Sequence, residues 1–191
     1  MLIQFQIFKP DNKFLHWNVN NILFICFILT VCIGQIKFFE FFSGIVLVGI
    51  LLFFNFRMFT NNFRTKALYG EFVGILTFNS DSFQIDNQLY TIDEISKIMI
   101  RVNDYEGKFI GSFRLSPSAK LSNGTNNLLR VELKTGELKV IKFQIDSAYD
   151  FEKLQPFVLQ LIANKLITIE DASKILKCDD IMILKMIKLS E

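Results

Sequence analysis

Residues 22–59 read ILFICFILTVCIG, then QIKFFEFFS, then GIVLVGILLFFNFRMF, and their only charges are Lys37, Glu40 and Arg57. Drawn as one helix, this stretch would be about 57 Å long at about 1.5 Å per residue, against a hydrocarbon core of about 30 Å. One span is too long and two fit. Lys37 and Glu40 fall near the middle, where a hairpin returns to water, so the pattern predicts transmembrane helices at about 20–36 and 41–60. Neither run shows the polar face of a soluble core helix. The uninterrupted run Ile22–Gly34 is short for a span, which leaves a shallow wedge as the competing reading. Lys37 at its end can snorkel to the headgroups, and Trp17 beside His16 precedes it as an interfacial anchor. Arg57, Arg64 and Lys66 anchor the end of the second run.

Outward from the hairpin, the basic flanks set an orientation. Lys9 and Lys13 precede the first run, Arg57, Arg64 and Lys66 follow the second, and the connecting turn holds one Lys and one Glu. The positive-inside rule then places both termini in the cytoplasm, in a multi-pass protein of the inner (cytoplasmic) membrane. Beyond the N-terminal segment 1–19 and the hairpin 20–60, roughly 120 residues remain, enough for one globular domain.

That remainder carries slightly more acid than base. Arg101, Arg114 and Arg130 fall on different predicted strands and are not expected to form one face. Nucleic-acid binding is therefore not expected. His16 is the only histidine, so a histidine-dependent triad or His-rich metal site in the globular part is excluded. Cys26, Cys32 and Cys178 have neither metal-ligand nor CxxC spacing. The glycines form no phosphate-cradling loop, and the acid pairs Asp93-Glu94 and Asp179-Asp180 fall where helices or turns begin. No enzyme, metal or cofactor is expected.

LIQFQIF at 2–8 alternates with period two and ends at Pro10-Asp11, which predicts a strand added to a sheet edge or lying on the membrane surface. From Tyr69 short strands follow one another. Glu71–Phe78 is the first, and Ser82–Asp86 and Gln88–Thr91 form a hairpin about Asp86-Asn87. Ile98, Ile100 and Val102 alternate with polar neighbours, and Lys108–Leu115 is a further strand. SPSAKLSNGTNN at 116–127 reads as a mobile loop, and Leu128–Lys134 and Leu138–Ile145 as a hairpin about Thr135-Gly136-Glu137. After Ser147 the period turns helical. Phe151, Leu154, Phe157 and Leu161 make the apolar face of a helix at 149–165 that would plug an open barrel. Thr168, followed by acids, starts a helical tail at 166–191.

This order of strands, the Thr135-Gly136-Glu137 hairpin and the terminal helix resemble a pleckstrin-homology-like domain over about 70–165. Behind a two-helix hairpin, the layout is similar to bacterial membrane proteins with PH-like domains, including the YcxB-like group. The resemblance implies an α+β fold: a transmembrane helical hairpin, an antiparallel PH-like sheet or open barrel closed by a C-terminal helix, and a short helical tail. Phosphoinositide-binding PH domains use a basic loop after the first strand. Here that loop, Phe78–Ser82, holds Asp81 and no base, so specific phosphoinositide binding is not expected. The expected function is a membrane-anchored, non-enzymatic interaction or scaffolding module. Its partners would be the lipid bilayer and a protein or a second copy. The alternative is a membrane-tethered regulator whose tail contacts DNA or a signalling partner.

Overall fold

The computed structural model describes residues 2–11, 19–36, 40–111 and 118–190. His16, Trp17, Lys37 and Arg114 lie outside the described residues. The chain is α+β and divides into two compact units: Asn12–Ala67 with Phe109–Leu121, and Met1–Asp11 with Leu68–Lys108 and Ser122–Glu191.

The first unit contains helices α1 (Val19–Gly34) and α2 (Glu40–Thr60), which pack against one another. Gly34 allows a close approach, since a Cβ there would stand 2.7 Å from the Ser43 hydroxyl. Among the described residues one helix is long and apolar enough to cross a membrane: Phe41–Phe63, 23 residues whose most apolar stretch has mean hydropathy 2.0 and is not buried within the protein. The apolar part of α1, Asn21–Gly34, is shorter than a span needs, so of the two transmembrane helices expected, one is a full-length candidate among the described residues. After α2 the chain is tied down by the 118–121 segment. Lys120 N–H donates to the Asn61 carbonyl (3.1 Å), and Lys66 N–H donates to the Leu121 carbonyl (2.8 Å).

The second unit is built on a seven-stranded antiparallel sheet. Its strands are β1 (Ile3–Pro10), β2 (Gly70–Phe78), β3 (Ser82–Ile85), β4 (Gln88–Thr91), β5 (Ile95–Arg101), β8 (Asn127–Leu133) and β9 (Leu138–Phe143). Their order is β4-β3-β2-β1-β9-β8-β5, so the sheet is open, with edges at β4 and β5, and is not a closed barrel. β6 (Glu106–Phe109) and β7 (Leu121–Asn123) form a separate pair.

The first strand does not lie at an edge. β1 pairs with β2 along its whole length and with β9 at Ile7 and Phe8, joining the β2–β3–β4 meander to the β5–β8–β9 meander. Each meander alone would leave an unpaired row of backbone groups beside an apolar face, and β1 covers both. Ile3, Phe5 and Ile7 point into the core, where the Phe5 ring lies 5.4 Å from Phe143. Gly70, at φ +152°, sits beneath the Phe8 ring, and any Cβ there would collide with it.

The helix read as continuous over 149–165 is two pieces, α3 (Asp150–Lys153) and α4 (Gln155–Ala163), meeting at Leu154. Pro156 explains the break: it has no N–H to donate, and its ring would strike the carbonyl of Glu152 in a straight helix. The apolar face survives the break. Phe151, Leu154, Phe157 and Leu161 are all buried in the core with the inward side chains of the sheet, and Phe157 lies 5.0 Å from Phe78. α5 (Ile169–Leu176) adds Ala172, Ile175 and Leu176 to this core, and α6 (Asp180–Ser190) adds Ile183.

Residues 118–127 are not one loop. β7 interrupts them, and Ser122 and Asn127 are buried in a polar knot. The Asn127 side-chain oxygen accepts from the N–H groups of Asn103 and Asp104 (3.0 Å each). Its amide nitrogen donates to the carbonyls of Gly124 (2.8 Å) and Phe143 (3.3 Å). The Ser122 hydroxyl donates to the Asp104 carboxylate at 2.5 Å and accepts from Gly124 N–H at 3.1 Å. Gly124, at φ +73°, passes so close to the Ile145 carbonyl that a Cβ would stand 2.3 Å from it.

Candidate functional site

The two sheet edges differ. β4 is four residues long, and its Tyr90 ring stacks on Phe83 at 5.0 Å. Lys139 lies over the same ring, 5.8 Å from its centroid. Its ammonium is paired with Glu137 at 2.6 Å, and that bond holds its pKa above the ordinary lysine value.

β5 is longer and open. From Lys97 to Arg101, and among the described residues, its backbone makes no hydrogen bonds beyond those to β8, so one row of N–H and C=O groups faces away from the sheet. Beside it runs α5, and between them lies a groove of about 500 Å³ lined by residues 97–103 and by Ile167, Asp171, Lys174, Ile175 and Lys177.

Local sequence places α5 firmly. Thr168 and Asp171 form a capping box: the Asp171 N–H donates to the Thr168 hydroxyl (3.1 Å), and that hydroxyl donates to the Asp171 carboxylate (2.8 Å). Lys177 ends the helix in the left-handed conformation at φ 56°. With its apolar face in the core, α5 turns Lys174 and Lys177 toward the groove rim.

The open charge in this groove is positive. Lys97, Arg101 and Lys177 outnumber the one lining carboxylate, Asp171, which accepts from Thr168, while Lys174 pairs with Glu170 at 2.6 Å. Lys177 donates to the Asn103 side-chain oxygen at 3.3 Å, and Lys108 donates to the Asn103 carbonyl. Burial, and then the neighbouring Lys108 charge, hold the Lys177 pKa below the ordinary lysine value.

Strand register extends this charge over the outer face of the sheet. Met99 stands opposite Arg130, Arg101 opposite Leu128, Leu128 opposite Lys142, and Lys97 opposite the acid Glu132. Lys97, Arg101, Arg130 and Lys142 are all exposed there, and none has an ion pair among the described residues. Arg101 and Arg130 therefore share one face, against the expectation that they would lie apart. Alternation put each on a polar face of its own strand. The pairing of β5 with β8 makes those two faces one.

The anchor residues lie in the other unit. Arg57 is half-buried in the last turn of α2, and Arg64 and Lys66 are exposed just beyond it. Among the described residues, no group of three or more His, Cys, Asp or Glu side chains is placed to hold a metal ion. Cys26 and Cys32 are exposed on α1, Cys178 is half-buried, and all three are free. Sequence reasoning missed the β5 groove because a strand's own residues do not reveal whether it will be an edge. The polar knot was signalled only by unusual density of Asn, Ser and Gly, which also reads as a loop.

No protein-family model, curated protein or solved structure matches the chain.

Proposed function

We propose that this protein is a membrane-anchored, non-enzymatic interaction module whose sheet domain takes an extended protein segment onto the free edge of β5. The observation that carries this reading is the uncovered β5 backbone beside the α5 groove. Such an edge binds an extended chain through its main-chain groups, and the groove beside it selects side chains.

The membrane part of the reading rests on α1 and α2. Their surfaces expose Phe24, Leu29, Leu52 and Phe56 among many large apolar side chains, a surface that water does not tolerate at this extent. Two of their polar side chains bond back within the helix: Thr30 donates to the Cys26 carbonyl and Asn55 to the Leu51 carbonyl, both at 2.8 Å. A segment in hydrocarbon must satisfy its polar groups in this internal way. In this reading α1 and α2 form the transmembrane hairpin, with Arg57, Arg64 and Lys66 at the cytoplasmic headgroups and the sheet domain in the cytoplasm.

The meander of short strands and the buried terminal helix support a PH-like domain of the kind carried by YcxB-like bacterial membrane proteins. The tail-regulator alternative has less support. α5 gives its apolar face to the core, and α6 offers only Lys185 and Lys188 as cations.

The test is main-chain specific. Extended peptides are titrated against the detergent-solubilised full chain, each alongside a copy N-methylated at alternate residues. Strand addition requires that methylation abolish binding. Equal binding by both forms, or none by either, overturns the reading.

A further inference from the structure

We infer that the segment taken up at β5 is acidic, with the pattern acid–apolar–any–apolar–acid, because the edge presents two unpaired cations four residues apart around an apolar step. The inference rests on the strand-addition reading and specifies its partner.

β5 exposes Lys97, Met99 and Arg101 on the outer face and turns Ile98 and Ile100 inward. A strand added antiparallel to β5 sets one residue opposite each of these five, with alternation in phase. The two residues opposite Lys97 and Arg101 therefore emerge on the same outer face as those cations, with Arg130 and Lys142 one and two strands beyond β5. The residues opposite Ile98 and Ile100 turn into the groove against Ile167 and Ile175. The one opposite Met99 faces outward and is free to vary.

Charge complementarity decides the sign. Glu170 on α5 is paired with Lys174 and Asp171 accepts from Thr168, whereas Lys97 and Arg101 close no ion pair among the described residues, Lys97 standing opposite Glu132 and Arg101 opposite Leu128. Lys177 and Lys108 add positive charge around Asn103, just beyond Arg101. A cation placed opposite Arg101 would meet like charge from several sides, while a carboxylate gains from all of them. The outer face also fits an anionic bilayer by charge, but a bilayer has no use for the open backbone row or the apolar groove behind it.

The probe is a capped, fluorescein-labelled peptide containing Glu-Val-Thr-Val-Glu, titrated against the detergent-solubilised full chain. It is compared with Lys-Val-Thr-Val-Lys and with an N-methylated copy. We expect the acidic peptide to bind about ten-fold or more tightly than the basic one, a preference of the size two cross-strand charge pairs supply. Lys97→Gln should shrink that preference. Arg101→Glu should shift it toward a peptide with lysine opposite position 101. Arg101 faces Leu128 across the ladder, so its reversal introduces no like-charge pair there, and an unchanged melting curve confirms the fold.

Equal binding of the acidic and basic peptides, with N-methylation still abolishing both, overturns the charge pattern and leaves strand addition standing. Binding that ignores N-methylation but is displaced by vesicles of anionic phospholipid overturns both, and assigns the face to a bilayer. No binding by any peptide also overturns both.

Discussion

Asn127 shows how a single buried amide holds three chain segments. Its four hydrogen bonds fix the turn at Asn103-Asp104, the Gly124 bend and the end of β9. Asn127→Ala strands these backbone groups in the interior and should cost about 2–4 kcal/mol, read from denaturation of the full chain. The neighbouring Asn126 is exposed, and Asn126→Ala should stay within about 0.5 kcal/mol. Equal losses for the two would remove the knot from the account. Cys178 offers a second test at this scale. Burial, and then the charges of Asp179 and Asp180, hold its thiol pKa above the ordinary value of 9.0. The folded chain therefore keeps this proton longer than the unfolded chain does, so the stability linked to it is whole below 9.0 and falls as pH rises beyond. Alkylation of Cys178 by iodoacetamide at neutral pH should be slower in the folded chain than after unfolding, which peptide mass spectrometry can follow.

The chain leaves α4 and α5 through a lysine in the left-handed conformation, Lys165 at φ 57° just past the Asn164 cap and Lys177 at φ 56° as the cap itself, where glycine carries no Cβ penalty. After α4, the Leu166 N–H closes back on the Leu161 carbonyl at 2.9 Å, so the bend is fixed by hydrogen bonding. Lys165→Gly should thus stabilise the chain by up to about 1 kcal/mol, seen as a raised melting temperature; a loss of stability would contradict this view of the cap. The face of α4 is more demanding. Leu154 and Leu161 have no solvent exposure, and an aspartate at either site would be an unpaired carboxylate in the core. Leu154→Asp or Leu161→Asp should abolish cooperative melting, at a cost of several kcal/mol.

These helix faces were legible because a 3.6-residue period survives a break, and only the break itself, set by Pro156, went unread. The hairpins at Asp86-Asn87 and Thr135-Gly136-Glu137 were legible for a similar reason, since their signals are local. The central place of β1 was not, because its partners are separated from it in sequence by both helices of the other unit. The short polar run 118–127 looked like a loop because Asn and Ser satisfy a buried backbone as readily as water does.

At the scale of the molecule, one chain combines an apolar helical pair with a sheet domain whose open edge is cationic. Which strand would be that edge depends on the order of all seven, so the candidate groove was beyond a strand-by-strand reading, although alternation had already set Ile98, Ile100 and Val102 on one side against their polar neighbours. We propose that α1 and α2 lie within a bilayer and hold the sheet domain in the cytoplasm. The three free cysteines report on it without any mutation: Cys26 and Cys32 lie on the outer surface of α1, and Cys178 lies between α5 and α6. The measurement is labelling with a membrane-impermeant maleimide at mildly alkaline pH, followed by peptide mass spectrometry. The account predicts no labelling in intact cells, labelling of Cys178 alone when the membrane is made permeable but left intact as a bilayer, and labelling of all three in denaturing detergent. Labelling of Cys26 and Cys32 before the bilayer is dissolved, or of Cys178 in intact cells, would contradict it.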